Sequence, residues 1–363
     1  MNDGELTETV ERLLGGVATA GRDGPQRHAR LRSLERLDGG RNNRVYRAVT
    51  DAAPMFVKVY YRSADDDRDR LGAEIAFATL AAERCPGRVA AARAWDGRAG
   101  VALFDFCEGR RLRAGDVDDA RVDEALSFLA ALNRADDARS VPAGVSVPLA
   151  QASEACFSMG AHLEAVGRRV ERLGRIATDA EAPASDADTA AVALVRERIH
   201  PRWQGVREQA QAAVARESLD IDEVLPEPAR CNSPSDFGFH NALITADGSL
   251  LFHDFEYAGR DDPAKLVCDC LCQPELPLDA ARAARFLEGA VTALDMDDAA
   301  RARAAILLPV YRIKWCCIVL AEFVAFDSPR RVFAAREAPA DRSREETKLA
   351  QLAKAERMLG QLG

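Results

Sequence analysis

Between Cys231 and Glu256 the chain concentrates side chains able to do chemistry: Asp236, His240, Asn241, Asp247, His253, Asp254 and Glu256 are set in an otherwise apolar stretch. Asn241–Thr245 and Leu250–Asp254 read as strands around Asp247-Gly248, a dipeptide that favours a two-residue hairpin turn. That turn puts Asn241 directly opposite Asp254, with Cα atoms about 4.5–5.5 Å apart. An amide and a carboxylate brought together in this way suit Mg²⁺, which takes a few protein oxygens and fills its shell with water and phosphate. Asp236, on the incoming loop, can orient an acceptor hydroxyl and take its proton. The set points to phosphoryl transfer, in which catalysis is mainly positioning and charge neutralisation. Read alone, the same segment also fits a polar hairpin with surface acids.

Such chemistry needs phosphate-binding parts elsewhere, and the first hundred residues offer them in order. Leu34–Leu37 and Arg44–Val49 flank a turn rich in Gly and Asn, and Asp38–Tyr46 can cover phosphates with backbone donors. Lys58 is the lone cation in the strand Met55–Tyr60. A helix is expected from the acidic run Asp65–Asp67 to Ala82, since negative charge suits a helix N-terminus. Glu74 lies on its apolar face, placed to pair with Lys58. Val101–Phe106 is a further strand. Beyond Gly109 the periodicity is helical over Val122–Leu132, Ala155–Leu173, Ala190–Ala215, Ala280–Leu294, Ala305–Phe323 and Glu345–Leu362. Residues 177–188 read as an acidic, Pro-containing loop.

With these parts in sequence, residues 31–325 resemble the aminoglycoside phosphotransferase and choline kinase superfamily. The set Ser235-Asp236-x4-Asn241, His253-Asp254-Phe255-Glu256 and Asp262-Pro263 carries the resemblance. It implies an α+β, bilobal, protein-kinase-like fold: a small antiparallel-sheet lobe with one helix, and a large, mostly helical lobe carrying a catalytic β-hairpin. The implied divisions are an N-terminal helical extension (1–30), a nucleotide-binding lobe (31–107) and a helical lobe with the catalytic loop and acceptor site (108–363). The resemblance further implies Asp236 as catalytic base and Asn241 and Asp254 as Mg²⁺ ligands. ATP, or another nucleoside triphosphate, is expected at Lys58 and Glu74, at Gly39, Gly40, Asn42 and Asn43 of the covering loop, and at Asp105, Phe106 and Cys107 between the lobes. Two departures stand out. Pro234 occupies the usual place of a His that buttresses the loop, and the Asp expected soon after Asp262-Pro263 is delayed to Asp269, with Lys265 intervening.

Other residues are less specific. Glu256 suits a second Mg²⁺, a cationic acceptor or a surface role, and His240 a phosphate contact or loop packing. His253 reads as a satisfied interior residue. Arg312, Lys314 and Trp315 fit either the acceptor cleft or, for Trp315, the core. Arg330, Arg331, Arg342 and Arg344 read as a solvated face. Cys268, Cys270 and Cys272 lack zinc-site spacing or His partners and read as buried, reduced thiols, as do most of the nine cysteines.

Composition narrows the class. The 363 residues are 48% hydrophobic and carry 49 Lys and Arg against 58 Asp and Glu, a net charge of −9. Collagen-like, disordered and disulfide-scaffold classes are excluded, and the acidic balance argues against a general nucleic-acid binder. No stretch reads as apolar enough for a membrane span, and the acidic start MNDGELTE is unlike a signal peptide. A cytoplasmic kinase for a hydroxyl on a small polar molecule is the expectation. A catalytically weak nucleotide-binding regulator and a nucleotidyl transferase built from the same parts stay open.

Overall fold

The computed structural model describes residues 1–19, 27–38, 42–63, 66, 68–134, 149–175, 185–324, 333–334 and 341–361. Helix α1 (Asp3–Leu14) is capped reciprocally by Asn2 and Glu5. Two short paired strands follow, β1 (Ala18–Thr19) and β2 (Arg27–His28). The main sheet contains β3 (Leu31–Arg36), β4 (Arg44–Thr50) and β5 (Met55–Val59). After helix α2 (Arg70–Arg84) it is completed by β6 (Ala92–Asp96) and β7 (Val101–Asp105). All five strands run antiparallel, in the order β3-β4-β5-β7-β6.

Side chains alternate across a strand, so this sheet has two occupied faces. Val57, Val59, Val101 and Leu103 meet Leu6, Val10, Leu13 and Leu14 of α1 on one face. Tyr60, Ala102 and Phe104 meet Leu71, Ile75 and Ala78 of α2 on the other. The N-terminal helix, expected as an extension, thus shares a core with the sheet. Helix α2 starts later than expected. Asp69 caps it by accepting from Gly72 N at 2.9 Å, while Asp66 stays outside the helix, bonded to Arg68 and Arg70. Asp65 and Asp67 lie outside the described residues.

The short β8 (Arg110–Arg111) leads into the larger lobe. There α3 (Asp119–Asn133) and α4 (Met159–Gly174) are followed by α5 (Asp186–Leu194), which continues through a π-helical turn, Val195–Ile199, into α6 (His200–Arg216). Strand β9 (Cys231–Ser233) pairs with β12 (Gly259–Asp261), and between them β10 (Ala242–Ile244) and β11 (Leu250–Phe252) form a hairpin whose first strand also pairs with β8. The chain continues with α7 (Pro263–Cys272), α8 (Ala280–Ala293), α9 (Asp298–Val319) and α10 (Asp341–Gly360).

Helix α9 is the axis of this lobe, packed by α4, α6, α7 and α10. Contrary to expectation, Asp298–Phe323 is long and apolar enough to span a membrane by length and composition; most of it is buried inside the fold, as a core helix would be. Cys268 and Cys272 of α7 face the Ala304 and Leu308 carbonyls of α9. All nine cysteines are free thiols, and no group of three or more His, Cys, Asp or Glu able to hold a metal occurs among the described residues.

Charge is buried where α7 begins. Asp262 caps that helix through Ala264 N at 2.8 Å, and its carboxylate meets His162 Nε2 at 3.1 Å and the Arg303 guanidinium. Burial alone would raise its pKa, but His162 and Arg303 outweigh burial and hold it at about 2. The stability this contributes, about 2 kcal/mol, is therefore fully present above the unfolded value near 3.8 and is lost as pH falls through about 2. Asp262→Asn, which keeps a capping side chain, is expected to flatten the acid limb of urea-unfolding free energy below pH 4.

Candidate active site

Alternation along β5 turns Lys58 away from α1 and toward α2. In the sheet it stands between Val45 and Ala102. Its Nζ lies 2.6 Å from Glu74 Oε2 and 2.5 Å from Asp254 Oδ1. Two residues on, Tyr60 donates its hydroxyl to Glu74 Oε2 at 2.8 Å. Glu74 also takes the Phe255 amide on its other oxygen, at 3.4 Å. One carboxylate from α2 thereby joins the sheet to the segment after β11. The sequence reading missed Tyr60; its signal was the two-residue step that puts it on the same face as Lys58.

This cluster sets its own charges. Burial would lower the Lys58 pKa, but Asp254, Glu74 and Glu256 together hold it above the usual lysine value. Burial raises Glu74, against the pull of Lys58. The Asp254 side chain is 41% exposed. Burial there is outweighed by Lys58, with smaller contributions from His253 and His240, and its carboxyl falls below the usual range. His253 is pushed down to about 4, chiefly by burial.

The hairpin differs from the expected one by a residue. Thr245 N bonds Ser249 O at 3.0 Å and Gly248 N bonds Thr245 O at 2.9 Å, closing a three-residue loop, Ala246–Gly248, with Gly248 at φ +84°. The Asp247 carboxylate fixes it by accepting from the Thr245 and Ser249 hydroxyls. The pairs are Ala242 with Phe252 and Ile244 with Leu250, so Asn241 stands opposite His253, not Asp254. His253 N donates to Asn241 O at 3.0 Å. A slip of one residue exchanges the faces of a strand. Both candidate residues, however, have left the ladder: Asn241 ends a 3₁₀ turn (Phe239–Asn241), and Asp254 takes φ +69°. A positive φ on a non-glycine residue is uncommon and is held here by the contacts Asp254 makes.

Asp236 sits in the loop after β9. His240 Nε2 lies 3.2 Å from its Oδ1, and Asn241 Nδ2 donates to its Oδ2 at 3.3 Å and to its backbone carbonyl at 2.9 Å. The carboxylate is thus held at both oxygens. Because Asn241 spends its amide nitrogen on Asp236, its Oδ1 is left as the atom able to take a cation. An amide oxygen and a carboxylate are hard donors that fit Mg²⁺.

The loop expected to cover the nucleotide is described only in part. Gly39 and Gly40 lie outside the described residues. Asn42 Nδ2 is 3.3 Å from the Tyr257 hydroxyl. Asn43 is buried, donating to Glu256 Oε2 at 2.7 Å and accepting from Tyr61 N at 3.1 Å. Glu256, 2% exposed, is therefore engaged by the smaller lobe. Between the lobes, Asp105 is bidentate to Arg93, Phe106 lies beneath the Arg47 guanidinium, and Cys107 is half-buried. Lys314 and Trp315 both donate to Asp269, at 2.8 Å each, and Arg312 donates to Gln361 O.

The sequence profile of a phosphotransferase enzyme family matches residues 33–307. The chain belongs to that family. Among solved structures, this phosphotransferase is similar to a choline/ethanolamine kinase family protein from Mesorhizobium loti, at 17% identity and TM-score 0.51 over 97% of this chain and 94% of that one. Choline kinase LicA from Streptococcus pneumoniae matches at 15% identity and TM-score 0.52, over 91% and 94%. Spectinomycin phosphotransferase, solved with ADP and spectinomycin, matches at 9% and TM-score 0.57, over 99% and 98%. No curated protein matches the chain. These likenesses establish the fold, a bilobal, protein-kinase-like architecture shared by aminoglycoside phosphotransferases and choline kinases.

Removing Lys58 would leave Glu74 and Asp254 without their shared cation. Lys58→Met is expected to cost about 3 kcal/mol at pH 7, as breaking a buried pair does. Glu74, already raised by burial, rises further in the variant and takes a proton on acidification. The deficit relative to wild type should therefore shrink at pH 5, which urea titrations at the two pH values would measure.

Proposed function

We propose that this phosphotransferase moves the γ-phosphoryl group of ATP, or another nucleoside triphosphate, to a hydroxyl of a small polar molecule such as a sugar, amino sugar or amino alcohol. The observation that carries this reading is the junction of two clusters on adjoining segments: Lys58, Glu74 and Asp254 on one side, Asp236, His240 and Asn241 on the other. The solved relatives support the reading: a choline/ethanolamine kinase family protein, a choline kinase and a spectinomycin phosphotransferase, the last with ADP bound.

The contacts support a task for each residue. Lys58, kept charged by two carboxylates, exchanges part of its hold on Asp254 for phosphate oxygens, while Glu74 keeps its ammonium in place. Asn241 Oδ1 and Asp254 would hold Mg²⁺, which supplies charge neutralisation at the phosphates. Asp236 receives the acceptor's proton on a carboxylate whose direction His240 and Asn241 fix. The segment carrying Asn42 and Asn43 would border the triphosphate. Asp105, Phe106 and Cys107 border the base. Glu256 acts through Asn43, holding the covering strand to the larger lobe.

Incubation with Mg²⁺–ATP and a pooled metabolite extract, read by mass spectrometry, tests the class: a phosphate added to a hydroxyl compound is expected, whereas addition of AMP would show nucleotidyl transfer. Asp236→Asn should lower kcat by roughly 10²–10⁴-fold. Nucleotide affinity by calorimetry should stay within about threefold. A variant retaining more than about a tenth of wild-type kcat would remove Asp236 from the role of base.

A further inference from the structure

One buried cation has no part in the chemistry proposed above. Lys265, on the first turn of α7, is 1% exposed. Its Nζ lies 2.7 Å from Asp261 Oδ2, 3.2 Å from Asp269 Oδ2 and 3.5 Å from Ser235 Oγ. Asp269 has another cation, Lys314, and the Trp315 indole besides. Lys265 therefore exceeds what Asp269 needs for neutrality, and its remaining reach is toward β12 and the residue next to Asp236.

That residue is held in an unusual conformation. Ser235 has φ +65°, and Asp236 N bonds Pro234 O at 2.9 Å across it, a three-residue turn of a rare, strained kind. A non-glycine residue there is strained and persists only where its surroundings enforce it. Glycine or asparagine would relieve that strain; a serine is explained by a use for its hydroxyl. Before the turn, Ser233 is fixed by its pairing with Gly259, and its hydroxyl accepts from Ser235 N at 3.0 Å. After it, Asp236 is held by His240 and Asn241. Between them, the Ser235 side chain is met by Lys265.

We infer that Lys265 is a positioning residue: anchored on Asp261 and Asp269, it holds the Ser235 hydroxyl and so keeps the strained turn that presents the Asp236 carboxylate. The inference rests on Asp236 being the base. It also gives a role to one departure noted in the sequence, Lys265 between Asp262 and Asp269.

Ser235→Ala tests this cleanly, because it leaves both Lys265 ion pairs in place. With Mg²⁺–ATP and water as acceptor, read as ADP release, kcat should fall 10- to 100-fold while KM for ATP stays within twofold, the loss a displaced catalytic group produces. The thermal midpoint should be nearly unchanged. Amide exchange of a peptide covering 234–241 should quicken about tenfold, with α9 peptides unaffected. Lys265→Met should show the same kcat loss with a lower thermal midpoint, and adding Ser235→Ala should cost little more; if Lys265→Met fails to fold, Ser235→Ala decides alone. Wild-type turnover in Ser235→Ala, whether or not exchange quickens, would reduce Lys265 to neutralising Asp261 and Asp269. Unchanged exchange in 234–241 would overturn the support of the turn. Should Asp236→Asn retain turnover, the base assignment fails instead, and exchange still reports on the loop.

Discussion

A lysine ammonium 4% exposed to solvent cannot remain charged without compensation, and Lys58 is compensated by carboxylates from two different lobes. Glu74 comes from the helix of the smaller lobe, Asp254 from the segment after the hairpin of the larger one. Desolvation makes the arrangement depend on its centre: without Lys58 both acids lose their shared cation, whereas without either acid the lysine keeps one partner. The cluster therefore fixes where α2 sits on the sheet, how Phe255 is received and how the two halves face one another. The second tie, Asn43 to Glu256, is set beside it at 2.7 Å and adds a neutral donor to an acid that already acts on Lys58.

Much of this was legible as pattern. Strand alternation around Lys58, helical periodicity around Glu74 and the spacing from Asp236 to Asn241 are local properties, and local properties survive translation into structure. The hairpin shows where local reading stops. Asp247-Gly248 signals a turn, but the Thr245 and Ser249 hydroxyls converge on the Asp247 carboxylate and stabilise a loop one residue longer. The register then moves by one, and the backbone at Asn241 and Asp254 turns out of the ladder to make other contacts. Side-chain hydrogen bonds inside a turn decide such a shift by amounts that dipeptide preference does not encode.

The buried polar layer under α7 was legible only as oddities. Lys265 and Asp269 stand four apart on one helix, but Lys314 reaches Asp269 only because α9 crosses α7. Likewise α1 looked separate, because nothing local says that Leu6 and Val10 will meet a sheet whose strands begin some twenty-five residues later. Tertiary packing supplies both facts.

The covering of the sheet by α1 has a practical side. With Val57, Val59, Val101 and Leu103 roofed by four apolar residues from Asp3–Leu14, trimming the protein to its family-matched portion would strip the roof and lay a contiguous oily surface bare. A shortened version prepared for crystallisation or display would be expected to clump, whatever its catalytic parts retained.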